Sequence, residues 1–347
     1  MKAKKLLCFV FSICLTFFAF AGGAKPANAA AFDLNVSISY VEGMSGGLIE
    51  GLNRIQERSN GRIKMTYYFM WSLSSVRTIV DDLDAGTVDI GMVPITEYTS
   101  QFPYTAAVTY MPLIGFPHML ETGKLYDEMY KAYPEFAKEF EKNGIVYLTN
   151  FANSPYHVWT TGKRIRTPRD LAGARLVTSS SMLQELFSAN GGAPVTMPIT
   201  DYAVSMSSGV VDGAVMHINT MRGAGALDFV KAATVFADEG LVASCMVTAI
   251  SGQTWKKLPE DLKQLFREEA DRIRDGQARS LYDASLANMQ LLKDRGADII
   301  SLSKDELDDW RKAVAPLIDK YLDSLERDGH KRAREFFKVM QGKIAAR

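Results

Sequence analysis

The sequence predicts an α/β protein of two lobes tied together by one long helix. Strand-like and helix-like segments alternate along the chain. A core of 318 residues, the 347 less a leader of 29, exceeds what one hydrophobic core usually supports. Pro259 to Leu292 then runs about thirty residues without a breaker, longer than an ordinary domain helix.

Met1 to Ala29 reads as a secretory leader. Lys2, Lys4 and Lys5 precede an uncharged apolar stretch from Leu6 to Ala21, and Ala27-Asn28-Ala29 has the small residues signal peptidase accepts. That apolar stretch is shorter than the roughly 20 residues a membrane helix needs. A soluble, periplasmic mature chain is expected. Cys8 and Cys14 fall in the leader, so Cys245 has no partner for an internal disulfide, and its apolar run L-V-A-S-C-M-V-T-A-I suits a buried structural thiol.

Leu34 to Tyr40 alternates as a strand, Met44 to Arg58 has helical spacing, and Arg62 to Phe69 is a second strand after the Asn60-Gly61 turn. Ser74 to Ala85 is read as helix, Val88 to Val93 as a buried strand and Glu121 to Lys142 as one long amphipathic helix. Beyond Asn150, strands are expected at Val158–Thr161, Ala174–Thr178, Pro194–Met197 and Ala214–Ile218, with helices at Ser181–Ala189 and Thr200–Ser208. The P-E-D at 259–261 suits a helix start through the fixed proline φ and acidic first turn. Lys304 to Met340 reads as charged helix packed on the outside. The expected partition is residues 30–150 plus about 236–275 in lobe I, and 151–235 plus about 276–347 in lobe II.

Removing the four leader lysines leaves 36 basic against 40 acidic residues, a net −4 that argues against nucleic acid as a partner. His118, His157, His217 and His330 have no metal-ligand spacing, and G-A-G at 223–225 lacks the pattern of nucleotide sites, so neither metal nor cofactor is expected. Neither G-x-S-x-G nor H-E-x-x-H occurs, and no enzymatic constellation emerges.

In α/β lobes a ligand collects at the carboxyl ends of strands. That rule selects Tyr40 and Glu42 after the first strand, Trp71 and Ser72 after the second, and the segment opening at Pro94 after the third. In the second lobe it selects Tyr156 and Trp159, Val177 and Ser179, Ile199, then Met216 and His217. Trp71 suits stacking of a flat solute, or equally a core position, and Trp159 lies inside a strand, which favours the core. Arg77, read at a helix start where a cation opposes the macrodipole, suits either a ligand clamp or a surface ion pair.

Five segments in order resemble the substrate-binding subunits of TRAP transporters, the tripartite ATP-independent periplasmic family, in their DctP-type branch. They are S-N-G-R-I-K-M at 59–65, L-S-S-V-R at 73–77 leading to D-A-G-T-V-D-I at 84–90, K-R-I-R-T-P-R-D-L-A-G at 163–173, G-V-V-D-G at 209–213, and T-W-K-K-L-P-E-D-L at 254–262. The resemblance implies a type II-like periplasmic binding fold. It also implies a receptor that closes on a small organic acid and delivers it to membrane permease subunits. In that family an arginine in the strand after the glycine holds the ligand carboxylate, often with a second arginine upstream. Here those positions are Val177 and Tyr156, while Arg175 stands two residues earlier on the same strand face. A site without the arginine needs another donor or a less polar ligand, so an aromatic or hydrophobic acid is expected. The alternatives are a sensing subunit for a membrane receptor kinase and, less favoured, an extracytoplasmic enzyme.

Overall fold

The structure, a computed structural model, describes residues 32–237 and 240–347. The expected leader lies outside the described residues. The first lobe is built from β1 (Phe32–Ser37), α1 (Gly46–Arg58), β2 (Ile63–Tyr68), α2 (Ile79–Ala85), β3 (Ile90–Pro94), α3 (Pro103–Thr109), α4 (Met119–Ala132), α5 (Pro134–Lys142) and β4 (Ile145–Ala152). The second follows with β5 (Tyr156–Thr160), β6 (Arg175–Val177), α6 (Ser181–Ala189), β7 (Ala193–Val195), α7 (Tyr202–Ser207), β8 (Gly213–His217), α8 (Ile218–Gly223) and β9 (Ala232–Val235). The chain then returns through β10 (Cys245–Ser251) and α9 (Gly252–Lys257) to α10 (Glu260–Asp294), β11 (Asp298–Ser301), α11 (Lys304–Arg327) and α12 (Ala333–Ala345).

One sheet has the order β2-β1-β3-β10-β4, the other β11-β9-β5-β8-β6-β7. In the first, β1 runs parallel to β2 and β3, and β10 runs antiparallel to β3 and β4. The chain crosses between sheets twice, from β4 to β5 and from β9 to β10, and the two crossings hydrogen-bond to each other. Asn153 N–H donates to Ser244 O (2.9 Å), Tyr156 N–H to Val242 O (3.0 Å) and Leu241 N–H to Tyr156 O (2.8 Å). Two short adjacent segments of this kind can bend while the packing inside each lobe stays intact, which makes them the hinge.

The third tie is α10, 35 residues long, which packs on both lobes. On the first lobe its Glu269 side chain, fully buried, receives Arg54 (2.9 Å), Arg58 (2.9 Å) and its own Arg272 (2.8 Å). Nearby, Arg274 meets Asp127 of α4 at 2.8 Å. On the second lobe the Asn219 amide donates to Leu281 O and Ser285 Oγ, each at 3.0 Å, and Asn288 donates to Asn219 Oδ1 at 2.9 Å.

Three expectations about elements change. Glu121–Lys142 divides into α4 and α5, because Pro134 cannot continue a helix and sets Tyr133 in an extended conformation (φ −129°, ψ 112°). Ser74–Thr78 is turn, so α2 starts only at Ile79 and Arg77 stands before it. Lys304–Met340 is two helices: α11 packs on the second-lobe core through Trp310, Val314 and Leu322, whereas α12 returns to the first lobe, where Phe336 and Met340 join the core beside α3 and α4. The chain past 276 is therefore shared between the lobes. Cys245 is buried in β10, and burial pushes its thiol up.

Candidate functional site

Beyond the end of β1, Tyr40 reaches the β4–β5 crossing, and the segments that follow β4, β8 and β9 meet beside it. Tyr40 is buried and its hydroxyl donates to Asn153 Oδ1, while Asn153 Nδ2 donates to Ser244 Oγ at 3.0 Å. This fastens the first-lobe edge to the hinge. Burial pushes the Tyr40 phenol up. Trp71 is half-buried with φ +59°, next to Met70 at φ +53°. Non-glycine residues adopt such conformations only where their surroundings hold them. Here Met70 N–H donates to Tyr40 O and Trp71 N–H to Ile38 O, each at 3.3 Å.

From the first lobe, Tyr110 donates its hydroxyl to Ser180 Oγ at the start of α6 in the second. Glu97 lies in the turn after β3, with the Ser179 hydroxyl near its carboxyl. The Glu97 side chain reaches solvent, yet protein surrounds it on enough sides that desolvation holds its carboxyl above the usual range, against the nearby Ser179 hydroxyl and the charge of Arg77. Tyr156 is buried beside His217, ring centroids 5.5 Å apart at 62°. Burial raises the Tyr156 phenol, and the charge of Glu97 adds to it, as do Tyr110, Tyr40 and Tyr202. His217 Nδ1 accepts from Thr220 N–H at 3.3 Å, and burial pulls its pKa down to about 4, so the ring is neutral near pH 7.

The expected site residues divide. Tyr40 reaches Asn153 at the crossing between the lobes, Tyr156 packs against His217, and Ser179 and Arg77 lie near the Glu97 carboxyl, whereas Trp71 packs against the first-lobe core. Glu42, Ser72 and Ile199 are exposed, and Pro94 is buried where β3 ends. Trp159 is a core residue instead, with no exposed surface and Nε1–H donating to Met216 O at 2.7 Å. Met216 and Val177 are likewise sealed in the second-lobe core. Arg175 is no ligand clamp, because it forks Asp212 through Nη2 (2.7 Å) and Nε (3.2 Å) at the exposed amino end of β6, opposite to the carboxyl end where Ser179 and Ser180 lie. The Arg175 guanidinium in turn holds the Asp212 carboxyl below its usual range. Asp170 caps its turn, its carboxylate accepting from Thr167 N–H (2.7 Å), Arg166 N–H (2.9 Å) and the Thr167 hydroxyl (3.1 Å), and Gly173 follows at φ +71°.

Sequence reasoning missed Glu97, Tyr110, Asn153 and Tyr202 as individual residues. Glu97 sits inside the segment after β3, and Asn153 follows β4, a strand the periodicity did not disclose. Tyr110 and Tyr202 come from helix ends, which the strand-end rule does not reach. Surface depressions of about 450 and 440 Å³ lie elsewhere, along the α1–α10 seam at Gly47 and Gly276 and between Ile114 and Val314.

Two α/β lobes hinged by paired crossing segments, with polar and aromatic side chains of each lobe meeting at strand ends, define a two-lobed solute receptor. The family profile described as DctP, bacterial extracellular solute-binding protein family 7, matches residues 51–324, and the chain belongs to that family. The resemblance in the five segments thus stands, and with it the role of a TRAP-type extracytoplasmic solute receptor. The sialic acid-binding periplasmic protein of Vibrio cholerae is 20% identical over 310 residues, 87% of this chain and 90% of that protein. Among solved structures, a marine metagenome TRAP solute-binding protein specific for aromatic acids, in complex with 3-hydroxybenzoate, superposes with a TM-score of 0.80 at 21% identity, covering 90% of this chain and 98% of that one. A TRAP protein from a Sulfitobacter species with bound β-D-galacturonate gives 0.76 at 19%, covering 89% and 99%.

Proposed function

We propose that this protein is a periplasmic receptor that closes its lobes on a small organic acid with an aromatic or hydrophobic body and delivers it to the membrane permease of a TRAP transporter. The observation that carries the ligand class is the lining of the seam between the lobes. Buried Tyr156 has Tyr40, Tyr110 and Tyr202 near it and stands where related receptors place a second arginine, while the other arginine position, Val177, is sealed in the core. An aromatic wall favours a flat or apolar body through area and ring geometry. Relatives that bind aromatic acids share the fold, one with 3-hydroxybenzoate and another, from Rhodoferax ferrireducens, with benzoate. The leader-like Met1–Ala29 supports periplasmic placement. Among the described residues no helix is long and apolar enough to cross a membrane.

The mechanism is a population shift. A solute held by groups of both lobes binds the closed form more tightly than the open form and enriches it by that difference. Tyr110–Ser180 and Glu97–Ser179 are contacts of the closed arrangement, and the ligand leaves chemically unchanged. Thermal-shift screening of the purified protein against small acids tests the ligand class. A binder at a hundred times its Kd adds about 2.7 kcal/mol, raising Tm by roughly 4 °C. Stabilisation by short dicarboxylates such as succinate, and by no aromatic acid, overturns the proposal. Recovery of a modified compound overturns the receptor-only mechanism.

A further inference from the structure

Asn153 and Ser154, adjacent in the crossing from β4 to β5, send their side chains to opposite lobes. Asn153 accepts from the Tyr40 hydroxyl beyond β1 and donates to Ser244 Oγ of the second crossing at 3.0 Å. Ser154 serves the second lobe, where the Asn219 amide of α8 donates to its Oγ at 2.9 Å. Asn153, Ser154 and Asn219 are all buried and uncharged. The connection therefore escapes the desolvation cost of an ion pair, while breaking any bond in it strands a buried polar group.

The same Asn219 amide also reaches α10. Its two hydrogens face three acceptors: Ser154 Oγ at 2.9 Å, Ser285 Oγ at 3.0 Å and Leu281 O at 3.0 Å. Ser285 Oγ lies 2.6 Å from Ser154 Oγ and donates to Leu281 O at 2.7 Å. One acceptor is thus spare. Asn219 can exchange Ser285 Oγ for Leu281 O on the helix and keep both hydrogens paired, whereas its side-chain bond to the crossing, among the described residues, is the one to Ser154. The helix gives way easily at this point. From residue 282 to 291 no residue of α10 is buried, although Glu269 seats its first half on the first lobe and Leu292 joins the second-lobe core.

We infer that the Asn219–Ser154 hydrogen bond latches the second lobe to the crossing and holds the closed angle at which Tyr110 meets Ser180, with Leu281 O and Ser285 Oγ as interchangeable seats on α10. Asn219 is then a positioning residue. Opening carries the second lobe away from the crossing and breaks this bond, so Asn219 sets how much of the receptor is closed before a solute arrives. The inference rests on the two-lobed receptor reading and is independent of the class of acid bound.

Pulsed electron double resonance on spin-labelled, solute-free protein tests it. Lys138→Cys with Val204→Cys spans the lobes, and Val204→Cys with Lys312→Cys reports on the second lobe alone. All three positions are exposed, and Cys245 is buried away from the label. Asn219→Ala and Ser154→Ala should each raise the ratio of wide to narrow interlobe distances about fivefold, as the loss of one buried hydrogen bond from the closed form predicts. The second-lobe pair should not move. Ser285→Ala leaves two acceptors for the two amide hydrogens and should keep the ratio within about twofold of the parent. Interlobe distances unchanged in Asn219→Ala and Ser154→Ala overturn the inference, as does a parent already as wide as these variants. A shift in Ser285→Ala equal to that in Asn219→Ala assigns the hold to α10 and overturns it too. Second-lobe distances that change together with the interlobe ones mark a purely structural role for Asn219. Should Asn219→Ala fail to fold, Ser154→Ala decides.

Discussion

Substituting Gly47 with alanine should loosen the seam between α1 and α10, the contact by which the long helix grips the first lobe. A Cβ on Gly47 would lie 2.0 Å from the carbonyl carbon of Gly276, 2.2 Å from Gln277 N and 2.3 Å from Gly276 O. Ordinary contact starts at 3.4 Å, so the backbones must separate by roughly 1.4 Å, and no flexible side chain is present to yield instead. The same movement stretches Leu48 N–H to Gln277 Oε1 (3.1 Å), Gly47 N–H to Ser280 Oγ (3.1 Å) and Gln277 Nε2 to Met44 O (2.8 Å). Overpacking costs about 1–3 kcal/mol and stranding the buried Gln277 amide a further 1–2 kcal/mol or so. The sum, about 2–5 kcal/mol, corresponds to a fall in Tm of roughly 3–8 °C by calorimetry. Gly276→Ala is the control across the same seam. Its Cβ would meet Gly47 Cα at 3.3 Å, a clash of a tenth of an ångström, so it should cost less than about 1 kcal/mol. A Gly47→Ala protein melting within about 2 °C of the parent, or a Gly276→Ala protein melting below the Gly47→Ala protein, would refute this account of how α10 is seated.

Arg175→Ala should leave ligand affinity within about twofold and Tm almost unchanged, because Arg175 is exposed and its half-buried partner Asp212 keeps the hydrogen bond from the backbone N–H of residue 175 at 2.8 Å. Titration of any acid that binds the parent checks this, and a loss on the order of 30-fold or more would restore Arg175 as the carboxylate clamp. Glu139 supplies a pH signature. Burial pushes its carboxyl up to about 7, against hydrogen bonds from Tyr104 N–H, Thr105 N–H and the Thr105 hydroxyl. The folded state therefore holds a proton that the unfolded state releases near its ordinary value of about 4.3. Stability from this group is full below that value and lost as pH rises through about 7. Denaturant midpoints measured from about pH 5 to 8 should decline in the parent and decline less in Glu139→Gln, and identical slopes would remove Glu139 as the cause.

Much of the site was legible as places, and less of it as residues. The strand-end rule pointed to Tyr40, Tyr156, Ser179 and His217, which the structure places at or just beyond strand ends. It failed where a side chain's partner is remote in sequence. Nothing local to Arg175 reveals that Asp212, 37 residues on, will fork it. Trp159 and Met216 sit at strand positions that look equally suited to seam or core. Their fate depends on which face the second-lobe helices cover, and the Trp159 indole donating to Met216 O records the outcome. Tyr110 and Tyr202 escaped because they arrive from helix ends in elements whose orientation periodicity cannot express.

The sequence by itself determined the alternation of strands and helices, the long unbroken α10, the capped turn at Thr167–Asp170 and the family. Each of these is written in local spacing or in a short string of residues, where backbone preference and side-chain period act over a few positions. The tertiary structure alone decided the charge of the site. That Arg175 is spent on Asp212 depends on β6 lying beside β8, while the return of α12 to the first lobe and the approach of Ser179 to Glu97 depend on how the two lobes meet. Electrostatic partners are set by distance through space, and residues 37 or 82 apart along the chain carry no local mark of it.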